Sequence, residues 1–230
     1  MRSWTSIWML AARAQGPWAL LAGLASAALT AGAFALAPAG GGLEARVAGS
    51  ACALTAGLGL VGLSAALALP LSNLFGTNPG LTLRRLRVSV RTAVLLIAVF
   101  DAACFFLFWA VHAVVLFLLA GGAGPASSGL AFLREGFLHS LLPVADPPRL
   151  ARNLLLCLAL GIAAARFSDV QRNGGKPVAL GVLLCVTIVF FPQEMGSWET
   201  DLCIGILALL VAATQIYALC VPPEEGGEAA

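Results

Sequence analysis

Six long apolar runs divide the chain, and shorter polar segments separate them. Each run is continuously apolar and does not alternate with polar residues, which favours membrane-spanning helices over the strands of a β-barrel. A helix needs roughly 20 mostly apolar residues to cross a hydrocarbon core of about 30 Å. The pattern therefore predicts an all-α, polytopic membrane protein with about six transmembrane helices, near residues 17–37, 49–71, 92–120, 150–167, 177–191 and 202–221.

The leader before the first run has an apolar pattern of its own. Within "MRSWTSIWMLAARAQG", apolar residues recur at helical spacing, namely Trp4, Ile7, Trp8 and Ala11. Arg2 and Arg13 lie near its two ends. This pattern predicts a short N-terminal helix that lies in the membrane interface. The same residues are also compatible with the first turns of the first span. A secretory signal is not favoured, because the run that follows exceeds the usual core of about 7 to 15 residues.

The composition agrees with a membrane protein. Hydrophobic residues make up 60% of the chain and charged residues only 10%, whereas a typical soluble domain is roughly 25% charged. Because no polar segment is long enough for a separate aqueous domain, we expect a single transmembrane domain over residues 1–221 and a short cytoplasmic acidic tail over residues 222–230. The net charge of +2 gives no reason to expect nucleic acid as a partner.

The basic residues predict the orientation of the chain. Basic residues accumulate in cytoplasmic loops, and the densest group here is "LTLRRLRVS" (residues 81–89), between the second and third runs. A cytoplasmic N-terminus puts nine of the thirteen basic residues on the cytoplasmic side, namely Arg2, Arg13, Arg84, Arg85, Arg87, Arg91, Arg166, Arg172 and Lys176. The opposite side then holds Arg46, Arg134, Arg149 and Arg152, together with an acidic loop that includes Glu194, Glu199 and Asp201. Six spans make both termini cytoplasmic.

Two ionisable residues stand out inside the predicted spans. Asp101 and His112 lie in the third run, eleven residues apart. That spacing places them on nearly the same helix face and about 16 Å apart. An ionisable side chain at the centre of a span costs about 2.5 to 3.5 kcal/mol on insertion scales, so such residues often line a pathway. Two interpretations remain open, a pathway or hydrogen bonding to neighbouring helices.

Motifs for catalysis, metal binding and nucleotide binding are absent from the sequence. There is no GxSxG, HExxH or GxxxxGK[ST] motif, and no pair of cysteines has CxxC spacing. The sequence therefore predicts no catalytic residue, no metal site and no cofactor. A Ser/His intramembrane hydrolase is not excluded by the two histidines, although no serine has a supporting motif.

The basic segment has a further likeness. The stretch "LRRLRVSVR" resembles a segment of ABC-2 type transporter permease subunits that often reads Leu, Arg, x, Leu, Pro, Val, Ser, Arg and precedes the third span. Here Arg87 stands where proline is common, and Arg91 matches the terminal arginine. The later stretch "FLREGFLHSLLPVAD" is similar to small bacterial permease-like proteins that accompany such transporters.

This resemblance implies a half-transporter in the bacterial cytoplasmic membrane, working with a separate ATP-binding cassette subunit and a second permease chain, identical or related. The loop around residues 72–91 would couple to the ATPase, through Leu81, Arg84, Arg85, Leu86, Arg87 and Arg91. The protein itself would not be an enzyme. Three alternatives remain: an accessory or structural membrane protein without its own pathway, an intramembrane enzyme that uses Asp101 or His112, and a secondary transporter or channel.

Overall fold

The computed structural model describes residues 2–37, 43–69, 89–121, 132–143, 146–172, 176–192 and 198–220. Within these ranges, all regular secondary structure is helical, which confirms the predicted all-α class. The helices are α1 (Arg2–Ala14), α2 (Gly16–Leu36), α3 (Leu43–Ala48), α4 (Cys52–Ala68), α5 (Val90–Gly121), α6 (Gly136–Leu141), α7 (Pro147–Arg172), α8 (Val178–Phe190) and α9 (Trp198–Cys220). The predicted acidic tail lies outside the described residues.

Each of the six predicted apolar runs forms a helix, but the helices differ in length. Four are long and apolar enough to cross a membrane, namely α2, α5, α7 and α9. The other two, α4 and α8, have 17 and 13 residues and are shorter than a usual span. The apolar helices are those of a multi-pass membrane protein.

The outer surface of the bundle is apolar. Large hydrophobic side chains are exposed on every long helix, for example Leu24 on α2, Phe117 on α5 and Leu210 on α9. Soluble monomers rarely expose contiguous apolar patches larger than a few hundred Å². A lipid environment accounts for this surface, because it removes the energetic reason to bury these side chains.

Helix α7 lies at the centre of the bundle. In an apolar stretch of 18 residues along α7, 61% of the residues are buried, whereas 28 to 33% are buried in the corresponding stretches of the other three long helices. It packs along α5 on one side and α9 on the other. The closest approach is at Gly161, where a Cβ atom would lie 2.5 Å from the backbone nitrogen of Ala102 on α5. Glycine at this position allows the two backbones to meet.

Two apolar clusters define the ends of the bundle. At the end that we call the α1 end, α1 packs through Ile7 and Ala11 on the first turns of α5 and on Ala165 near the end of α7. At the other end, the α6 end, α6 packs on the end of α5, and Trp109 donates a hydrogen bond to the Leu141 carbonyl at 3.0 Å. The end of α2 and the beginning of α4 belong to the same cluster as α6. Helices α2 and α5 therefore run toward the α6 end, and α4, which lies between them in the sequence, runs away from it.

The predicted N-terminal helix is present as α1. Its apolar face is buried at Ile7 and Ala11, while Trp4 and Trp8 are exposed. Gln15 lies between α1 and α2, and helical hydrogen bonds continue through it. Its backbone N–H donates to the Ala11 carbonyl, and its carbonyl accepts from the Ala19 N–H. A position of α1 in the membrane interface stays a prediction.

The contact at Gly161 yields a stability prediction. Replacing Gly161 with alanine forces α5 and α7 apart, because the added methyl group meets backbone atoms of Ala102 that cannot rotate away. We expect a loss of about 1–3 kcal/mol, as is usual for overpacking, measured as a lower thermal unfolding midpoint in detergent. The matched control is Gly62→Ala on α4, where a Cβ meets nothing within 4 Å. Equal midpoints for the two variants would contradict this packing.

Candidate functional site

Asp101 and His112, the two residues singled out from the sequence, are both buried in the bundle. Their side chains are 0% and 1% exposed. They lie on the same helix, α5, but in different surroundings, since His112 lines a cavity near the α6 end and Asp101 lies toward the α1 end. The structure does not bring the two side chains together, in agreement with the spacing that the sequence predicts.

Asp101 lies beside the junction of α1 and α2. The side chain of Gln15, the residue at that junction, interacts with the Asp101 carboxyl group. Gln15 Nε2 donates a hydrogen bond to the Leu67 carbonyl oxygen near the end of α4, at 2.7 Å. Among the described residues, neither carboxyl oxygen of Asp101 has a hydrogen-bond partner, and nor does Gln15 Oε1. Three oxygen atoms without a donor are therefore concentrated in the apolar core.

His112 links α5 to α2. Its Nδ1 lies 2.9 Å from the Phe108 carbonyl oxygen, and its Nε2 lies 2.9 Å from Ser26 Oγ. Because a carbonyl only accepts, Nδ1 carries the ring hydrogen in this arrangement, and Nε2 accepts from the Ser26 hydroxyl. A nucleophilic serine has the same relation to its base. Ser26, however, is not among the residues that line the adjacent cavity, so its hydroxyl connects helices and is not presented to a ligand.

A second polar cluster, which the sequence analysis missed, lies at the α6 end. We call it the arginine–aspartate cluster, and it consists of Ser140 on α6, Arg149, Arg152 and Asn153 on α7, and Asp201 on α9. Arg152 Nη1 donates to Asp201 Oδ1 at 2.6 Å, and Arg149 Nε donates to Asp201 Oδ2 at 3.2 Å. Asn153 accepts from Arg152 at 3.0 Å and donates to the Ser140 carbonyl at 2.7 Å. Three helices are thus joined by buried hydrogen bonds.

The charges of this cluster are well shielded from the surroundings. Arg152 and Asp201 are each 2% exposed, and the Arg152 guanidinium lies 5.8 Å from the centre of the Phe191 ring. Two guanidinium groups share one buried carboxylate, while the more exposed Asp146 lies 3.6 Å from Arg149. A buried ion pair is favourable only when hydrogen bonds satisfy its remaining polar atoms. Asn153 and Ser140 accept such hydrogen bonds from the Arg152 guanidinium.

The sequence contained a signal for this cluster. Arg152 lies inside the predicted fourth span, and Asp201 directly precedes the sixth. The charge pattern along the chain instead predicts loops of one membrane side for both residues. An arginine within an apolar run is, like Asp101, an intramembrane charge that needs a partner.

Two spaces adjoin these groups. A cavity of about 80 Å³ between α4, α5, α7 and α8 has an apolar lining with a few polar side chains, His112, Asn153 and Thr187. A larger groove of about 570 Å³ lies between α1, α2, α4 and α5 and is lined by apolar residues, including Gly16, Phe100 and Cys104. The cavity has room for a small molecule only, whereas the groove is large enough for an extended apolar group.

The predicted ATPase-coupling residues fall largely outside the described part of the chain. This applies to Leu81, Arg84, Arg85, Leu86 and Arg87. Arg91 is described, and it is exposed in the first turn of α5 at the α1 end. Ser89 begins this helix, since its Oγ accepts a hydrogen bond from the Thr92 backbone at 3.2 Å.

Comparisons with known proteins give no relative. No family model, curated protein or solved structure matches this chain. Within the described ranges, no group of three or more His, Cys, Asp or Glu side chains is placed to hold a metal ion. The function is therefore inferred from the sequence resemblance and from the geometry of the bundle.

The arginine–aspartate cluster yields a second prediction. Asp201→Asn removes the carboxylate that Arg149 and Arg152 share, so that Arg152 loses its counterion and Arg149 keeps only the more exposed Asp146. Breaking a buried pair in this way costs about 3–5 kcal/mol, so we expect a large drop in the thermal unfolding midpoint. Glu199→Gln, two residues earlier on the exposed side of α9, is the matched control. An unchanged midpoint for Asp201→Asn would show that the cluster does not hold α7 and α9 together.

Proposed function

We propose that this chain is the membrane-spanning permease subunit of an ABC-type exporter, and that it couples to a separate ATPase through the cytoplasmic loop around residues 72–91. The observation that carries the proposal is the composition of the α1 end. An amphipathic helix with exposed tryptophans, the exposed Arg91 and the end of α9 are all located there. The basic segment 81–89 lies between α4 and α5 in the sequence, and α5 begins at this same end of the bundle.

All six apolar helices cross the membrane in this proposal, including α4 and α8. Both run between the two ends that the long helices connect. Phe191 directly follows α8 and packs on Phe137 at the α6 end, whereas Lys176, before α8, lines a small pocket with Arg166 and Gln215 near the other end. At 1.5 Å per residue, a 13-residue helix is about 20 Å long. Flanking residues and local thinning of the bilayer make up the difference.

The α1 end is cytoplasmic in this proposal, and the membrane is the bacterial inner membrane. The basic residues support this orientation. Arg166, near the end of α7, donates to the Gln215 carbonyl at 2.8 Å, so one of these cations also connects α7 to α9. The N-terminus and the end of α9 then face the cytoplasm together.

Helix α5 is suited to transmit movement from the ATPase. Its first turns contact α1, its middle contacts α7 at Gly161, and its end packs on α6. A displacement of the loop before α5 therefore acts on the whole bundle. The cavity beside His112 is small, so the export pathway would form between two permease chains. The apolar lining of the groove suits lipids or other apolar substrates better than ions.

The second candidate function is an accessory membrane protein without its own pathway. The arginine–aspartate cluster and the link from Ser26 to His112 favour it, because both fasten helices together. Asp101 and His112 stay candidate pathway residues only under the first proposal. The two candidates differ in whether an ATP-binding subunit is bound.

Copurification separates them. We expect the tagged chain, purified in mild detergent, to bring down a stoichiometric ATP-binding subunit. The triple variant Arg84→Gln, Arg85→Gln, Arg87→Gln should lose it, because the basic surface for docking is removed. Arg134→Gln, an exposed arginine at the α6 end, should keep it. Recovery of the native chain alone, as a stable oligomer, would contradict the exporter proposal and favour an accessory protein.

A lysine version of the triple variant serves as a second control. It retains the charge that sets orientation and attracts anionic lipid, so the topology should be unchanged. An ATP-binding subunit that stays bound to the glutamine variant would contradict docking through this segment.

A further inference from the structure

The pairing of Asp101 with Gln15 leaves an electrostatic problem. Asp101 is fully buried, and neither of its carboxyl oxygens accepts a hydrogen bond from a described residue. The Gln15 side chain beside it also has an oxygen without a donor. The apolar core therefore holds three side-chain acceptor oxygens that no described donor satisfies.

Asp201 shows what a buried, ionised carboxylate requires in the same bundle. It receives hydrogen bonds from two arginines, at 2.6 and 3.2 Å. No arginine, lysine or histidine of the described residues is paired with Asp101. An isolated ionised carboxylate in an apolar interior is far more costly than a neutral one, and such a group takes up a proton instead.

We propose that Asp101, beside Gln15, is a proton-binding site in the bundle core, in which the Asp101 carboxyl group carries the proton. A resident metal ion fits these residues less well. Hard cations take six or more oxygen ligands, while this site offers the three unpartnered oxygens of two side chains. The Leu67 carbonyl oxygen already accepts from Gln15 Nε2.

The groove lies next to this site. Its lining includes Gly16, which follows Gln15, and Phe100 and Cys104, which lie near Asp101 on α5, but neither Asp101 nor Gln15 itself. Among the described residues, Cys104 is a titratable side chain that interacts with Asp101. On the α4 side, the Leu67 carbonyl oxygen accepts a hydrogen bond from Gln15 Nε2. On the α7 side, Gly161 contacts α5 at Ala102, the residue after Asp101.

Proton occupancy would act on the docking of α1. Ile7 and Ala11 of α1 pack on Ala93 and Ala98 of α5, toward the α1 end from Asp101. Release of the proton leaves a charge next to this apolar contact, so Gln15 and α1 must move or admit water. This inference goes beyond the proposed function and does not depend on an ATPase partner.

Carbodiimide labelling tests the site directly, because an apolar carbodiimide such as dicyclohexylcarbodiimide reacts with protonated carboxyl groups. We expect mass spectrometry of the native protein, treated in membranes at neutral pH, to find the modification at Asp101 and not at Asp201, whose carboxylate accepts hydrogen bonds from two arginines. Protection of Asp101 by sodium ions would overturn the proposal in favour of a metal site.

Infrared spectroscopy provides a readout that does not depend on reagent access. We expect the native protein to show the carbonyl band of a protonated carboxylic acid at neutral pH. Asp101→Asn, which is nearly isosteric, should remove this band while the protein still folds. The matched control Glu199→Gln removes an exposed carboxylate and should retain it. A band that persists in Asp101→Asn, or is absent from the native protein, would overturn the proposal.

Discussion

Lipid offers no hydrogen bonds, so each polar side chain inside this bundle needs a partner from the bundle itself. The arrangement of the core follows from this constraint. Asp201 binds two arginines of α7, and the Ser26 hydroxyl binds His112 of α5. Each of these contacts joins helices that are distant in sequence, and the apolar side chains between them need only fill space. Asp101 departs from this pattern, since its carboxyl oxygens have no donor among the described residues.

The two ends of the bundle consequently have different properties. At the α6 end, the arginine–aspartate cluster fastens α6, α7 and α9 by several buried hydrogen bonds. At the α1 end, α1 is attached through small apolar residues, with Asp101 and Gln15 close by. A half-transporter needs one end that holds its shape and another that responds to a cytoplasmic partner. This difference is the structural basis of the exporter proposal, and the proposed proton site would adjust the responsive end.

Apolar continuity alone was sufficient to predict the helices, because each long run has no other way to satisfy its backbone in lipid. The run over residues 177–191 is the shortest of the six, and α8 (Val178–Phe190) lies just inside it. Burial of Asp101 and His112 followed from their places in the third run. Arg152 and Asp201 were missed because charges near the ends of runs were assigned to loops. The partnership of Ser26 with His112 had no local signal, since it depends on how α2 and α5 meet.

All six apolar helices cross the membrane in the proposed topology, and α8 is the shortest of them. Lys176 and Glu199 lie on either side of α8, and both are exposed. Single cysteines at these positions, in a variant whose six native cysteines are replaced by alanine, can be treated in intact cells with a membrane-impermeant maleimide. The account predicts that Glu199→Cys is labelled and that Lys176→Cys is labelled only after the membrane is opened. Labelling of both from the same side would contradict a six-span protein.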